Sequence, residues 1–120
     1  MPRFAVLVLL VAACQSDAGR PPVARIAVLP EAVPQHDAFT TDVMLDGTMS
    51  ADPIDDPDGM LPLAYRWRIS NDEARFQGPE DAAVTTIRLA GERPATIELT
   101  VTDADGDSTT ARHNLQLTLP

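Results

Sequence analysis

From Val23 onward the chain is governed by a two-residue alternation of apolar and polar side chains. Leu63, Tyr65, Trp67 and Ile69 fall on one side of a run whose other side carries Arg66 and Arg68. Ile97, Leu99 and Val101 alternate with Thr96, Glu98, Thr100 and Thr102, and Leu115, Leu117 and Leu119 with Asn114, Gln116 and Thr118. Phe39, Thr41, Val43 and Leu45 repeat the pattern against Thr40 and Asp42. Successive side chains of a strand point to opposite faces, so this period describes half-buried strands and no helix. Prolines at 30, 34, 53, 57, 62, 79 and 94 mark where ladders must end, because proline lacks the N–H a ladder uses.

The segments are predicted at 23–29, 39–46, 63–70, 74–77, 83–90, 95–103 and 110–119. Seven short strands separated by turn residues predict an all-β, seven-stranded antiparallel immunoglobulin-like sandwich, with a small closed barrel as the alternative. Trp67 occupies the third strand, where such sandwiches bury a tryptophan. No internal repeat is present.

The N-terminus obeys a different rule. Arg3 precedes an apolar run from Phe4 to Ala13, well short of the roughly 20 residues of a membrane-spanning helix. A positive start, a short apolar stretch and small residues at the end describe a secretory signal. Val11-Ala12-Ala13 leads into Cys14, the chain's single cysteine. This arrangement resembles a bacterial lipoprotein signal, which implies cleavage after residue 13, lipidation of Cys14 and a membrane-anchored protein of the cell envelope. Gln15 stands where an inner-membrane retention signal usually has Asp, which leans toward the outer membrane. The expected organisation is therefore a signal peptide at 1–13, lipidated Cys14 with a linker to 22, and one sandwich at 23–120. With Cys14 committed to lipid, no disulfide is available to the sandwich.

Eighteen Asp and Glu stand against nine Lys plus Arg, and every one of the nine is arginine. A net charge of −9 argues against nucleic acid, whose binding depends on neutralising phosphates. It equally disfavours a polybasic contact with anionic lipid.

Several stretches together resemble the polycystic kidney disease (PKD) domain family. Leu45-Asp46-Gly47-Thr48-Met49-Ser50-Ala51-Asp52-Pro53 is similar to the family's motif after its second strand. Asp56-Pro57-Asp58-Gly59 resembles its acidic turn, and Leu63-Ala64-Tyr65-Arg66-Trp67 its third strand. Ile97 to Gly106 is similar to its late hairpin. The resemblance covers residues 22–118 and implies an extracellular binding, adhesion or spacer role, with a protein or glycan of the envelope as partner.

Two acidic loops are the candidate site. Asp52, Asp55, Asp56 and Asp58 lie between the second and third strands; Asp103, Asp105 and Asp107 lie between the sixth and seventh. In an immunoglobulin-like sandwich these loops share one end, where seven carboxylates would converge. A hard cation relieves their repulsion, and calcium takes six to eight oxygens from just such mixed donors. The same sequences also make ordinary turns, since Asp and Gly stabilise them without any ion. The first strand starts at this end, so the acidic end is expected to face the anchor. His36 and His113 sit beside no nucleophile pattern, and neither a Gly-x-Ser-x-Gly elbow nor a His-Glu-x-x-His helix occurs. The expectation is a non-enzymatic binding or spacer module; the alternative is a calcium-dependent adhesion or scaffold module, with a small glycan-processing enzyme behind both.

Overall fold

A computed structural model describes residues 20–34, 41–71, 74–89 and 94–118. Cys14 with its apolar run, and His36, lie outside the described residues.

The described chain holds β1 (Ala27–Leu29), β2 (Ala32–Pro34), β3 (Asp42–Asp46), β4 (Ala64–Ile69), β5 (Arg75–Phe76), β6 (Val84–Arg88), β7 (Ala95–Thr102) and β8 (Ser108–Thr118). These form two four-stranded sheets, in the orders β1-β3-β6-β5 and β2-β8-β7-β4. The fold is an all-β sandwich.

Eight strand segments stand where seven are predicted, because a further strand, β2, forms just beyond the predicted 23–29 run. Pro30 removes a ladder donor. Before it, Val28 pairs with Leu45 in the first sheet. After it, Val33 runs parallel to Leu117 in the second. The chain thus serves both layers. Residues 23–26 are no strand: Val23 makes only an isolated two-bond bridge to Ala51, and Arg25 N donates to Ser50 Oγ at 3.0 Å. The last hairpin is tighter than predicted. β8 begins at Ser108, two residues early, because Gly106 adopts φ +91° and Asp103 N donates to Asp107 O at 2.9 Å.

Both inner faces meet in one core. The first sheet contributes Val28, Val43, Leu45 and Ile87, and the second Val33, Trp67, Ile97, Leu99, Val101 and Leu115. Val43, Leu45, Trp67, Ile97, Leu99, Val101 and Leu115 fall on the apolar phase of the alternating runs; Val28, Val33 and Ile87 join them from segments without such a run. Trp67 is fully buried, and its indole N–H donates to Ala82 O at 2.8 Å. Gly47 is required by this packing: a Cβ there would lie 2.8 Å from Leu99 Cδ2 and 3.3 Å from Trp67 Cζ2.

The second sheet's outer face is tied by polar pairs across strands. Glu98 stands between Arg68 and Arg112 in register, and its carboxylate meets Arg112 Nε at 2.6 Å. Thr100 and Thr110 hydroxyls bond at 2.8 Å. Arg68 of β4 stands opposite Glu98, and Arg66 opposite Thr100.

Candidate metal centre

The Leu45–Pro53 stretch builds one wall of the acidic end through its backbone. Asp46 Oδ1 accepts from Thr48 N at 2.8 Å and from Thr48 Oγ1 at 2.6 Å. Gly47 N donates to Ala83 O at 2.8 Å, and Ser50 N returns to Gly47 O at 3.0 Å. The chain is thereby folded so that Asp52 turns back into the sandwich, where it is 7 % exposed.

The other wall is the β7–β8 turn. Asp103 Oδ1 accepts from Asp105 N at 2.9 Å and Asp107 N at 3.0 Å, which closes the turn. Its second oxygen, Oδ2, is buried without a partner, and so is Asp52 Oδ1. Asp103 is also 7 % exposed. Asp52, Asp55 and Asp103 each bring a carboxylate oxygen to within 4.8 Å of the others. The two predicted loops therefore do meet.

The remaining acids of the predicted seven are placed differently. Asp56 spends both oxygens on its own loop, accepting from Met60 N at 3.0 Å and Leu61 N at 2.9 Å. Asp58 and Asp105 are exposed and Asp107 is half-buried; none of them belongs to the close group. Asp55 is exposed, and its Oδ2 accepts from Arg20 N, which ties the chain's entry to the acidic loop. A cleft of about 310 Å³ opens beside Asp52, between Asp56, Leu61, Leu63 and Tyr65.

Crowding marks Asp52. Loss of water around it holds its carboxyl above the ordinary 3.8, the charges of Asp55 and Asp103 add to this, and the Asp55 backbone N–H opposes it. Two exposed carboxylates move the other way. Asp42 is lowered by its bond to the Arg88 guanidinium, at 2.8 Å, and Asp46 by the Thr48 hydroxyl and N–H.

The signs give a pH profile. A raised folded pKa contributes stability that is complete below 3.8 and is lost as pH rises through the folded value. The lowered pair contributes stability present above 3.8 and lost as pH falls through their folded values. In chelator, the melting temperature should therefore climb as pH is brought from roughly 7 toward roughly 4, then drop on further acidification. A steady fall from neutrality, measured by circular dichroism, would contradict the crowding at Asp52.

Three carboxylate oxygens gathered this closely can share one metal ion. The positions of Asp56 and Asp58 relative to it could not be read from the sequence, because the spacing of acids does not say which ones cap their own turn.

The fold has counterparts among solved structures. The PKD1 domain of the Vibrio cholerae metalloprotease PrtV superposes with a TM-score of 0.56 and 23% identity, covering 82% of this chain and 98% of that one. This chain has a PKD-type fold. The PKD1 domain of Vibrio anguillarum Epp gives a TM-score of 0.58 at 19% identity, over 85% of this chain and 99% of that domain. A structure described for promiscuous carbohydrate-binding modules of the β-sandwich superfamily gives 0.55 at 20% identity, over 84% of this chain and 36% of the other. No family model and no curated protein matches the sequence. The PKD-type frame explains why the motif residues are where they are. Gly47 and Trp67 meet in the core, while the Asp52 and Asp103 loops close one end.

Proposed function

We propose that this chain is a lipid-anchored, non-catalytic module of the cell envelope, most simply of the outer membrane. It binds or spaces a protein or glycan partner and takes up calcium at its acidic end. The observation that carries the ion is the pair of buried, unpartnered oxygens, Asp52 Oδ1 and Asp103 Oδ2, facing a third carboxylate. A buried charged oxygen left without a partner is costly, and a divalent cation removes that cost. Likeness to PKD and carbohydrate-binding modules supports binding or spacing over catalysis. His113, the described histidine, lies on β8 opposite Ile97 with Nε2 enclosed.

The anchor has its own test. Wild-type protein expressed in a Gram-negative host should incorporate labelled palmitate and sediment with membranes, and Cys14→Ala should lose both. Unlabelled wild type, or an equally membrane-bound Cys14→Ala chain, would overturn the anchored reading.

A further inference from the structure

Of the exposed large apolar side chains, Leu29, Met44 and Val84 lie on strands of the first sheet, while four others share one loop. Met49 is 68% exposed, Ile54 60%, Met60 80% and Leu61 52%, and all four belong to the connection between β3 and β4. Val23, 37% exposed, is bridged to Ala51 of the same connection. Single exposed hydrophobics are ordinary on a protein surface. Here they share one connection with Asp52 and Asp55, on a chain of net charge −9. Strand formation does not explain them, since Pro53, Pro57 and Pro62 keep the segment out of both sheets.

The chain's own course says what covers this loop. Arg20 N donates to Asp55 Oδ2, so the polypeptide joins the sandwich at the acidic loop. Cys14 stands six residues earlier in the sequence, and a coil of that length has a reach of roughly 12–15 Å. An acyl chain on Cys14 would keep Met49, Ile54, Met60 and Leu61 within a headgroup layer of the bilayer.

We infer that the β3–β4 loop docks on a lipid surface. Its methionines, isoleucine and leucine enter the headgroup–acyl boundary, as interfacial apolar residues do at depths of about 5–10 Å. Unbranched methionine suits such an irregular, mobile environment. Bare carboxylates would be repelled by anionic lipid. A divalent ion held by Asp52, Asp55 and Asp103 would cut their combined charge and could also meet lipid phosphate oxygens. The inference rests on the anchored, cation-binding reading above and adds the bilayer as a ligand of the same end.

The test uses a chain beginning at Gln15, which retains every described residue and so both sheets and the core, and has no cysteine to acylate. It is mixed with vesicles of phosphatidylethanolamine and phosphatidylglycerol, or of phosphatidylcholine alone, in calcium or chelator, and sedimented. Binding is expected with phosphatidylglycerol vesicles in calcium. The double variant Met60→Asp, Leu61→Asp should lower the partition coefficient by roughly tenfold or more. Both sites are exposed, so the variant should keep the wild-type rise of melting temperature with calcium. A calcium-dependent melt without vesicle binding would overturn the lipid inference and leave the cation site standing. Absence of both would remove the cation reading as well. Equal sedimentation in chelator would overturn the ionic bridge, and equal sedimentation of the double variant would overturn the apolar contact.

Discussion

Trp67→Ala should leave a chain that barely folds at 25 °C. Removing a fully buried tryptophan costs about 3–5 kcal/mol, and a domain of this size has roughly 5–15 kcal/mol in total. The loss has two parts. The indole fills the space against Gly47 and Leu99, and collapse there is limited because the backbone at Gly47 is already in close approach. The indole N–H also satisfies Ala82 O, which would be left without its donor. Trp67→Phe keeps much of the volume but still orphans that carbonyl, so it should fall between the two. Urea unfolding followed by far-ultraviolet circular dichroism is the suitable measurement, since Trp67 is the only tryptophan and its fluorescence goes with it. A midpoint unchanged in Trp67→Ala would refute the core assignment.

Calcium should produce the second large effect. A ligand at a hundred times its dissociation constant stabilises the folded state by about 2.7 kcal/mol. Each kcal/mol moves the melting temperature of a domain of 60–100 residues by roughly 4–8 °C. A rise of about 10–20 °C between chelator and saturating calcium is therefore expected. Asp103→Asn is the informative variant: Asn retains an oxygen for the N–H groups of Asp105 and Asp107 and loses the charge at the buried Oδ2. It should lose most of the calcium response while melting no lower than wild type in chelator, because the crowding on Asp52 is eased. Coincident wild-type curves with and without calcium would make these carboxylates turn residues and nothing more.

The sheets were legible because alternation over β4, β7 and β8 is long and each phase has a single meaning. The split at Pro30 was also written in the chain, less visibly. Val28 and Val33 are five positions apart, so one continuous strand could not bury both. They are both buried because the chain changes sheets between them. The meeting of the two acidic loops followed from the topology. Which carboxylates remain free did not, since Asp56 differs from Asp52 only in where its loop's N–H groups point. Met49, Ile54, Met60 and Leu61 carried a signal of their own, apolar residues in a proline-broken loop with no strand to bury them.

The split first strand also governs how copies of this domain meet one another. A bare strand rim invites a second chain to add to the sheet. Here β1 and β2 are three residues each, closed off by Pro30 and Pro34, and β5 is two residues long. The longer rim, β4, carries Arg66 and Arg68, and its Trp67 N–H is already given to Glu80 O. Rims this short, or carrying arginine as β4 does, are poor templates for adding a neighbour's strand to the sheet.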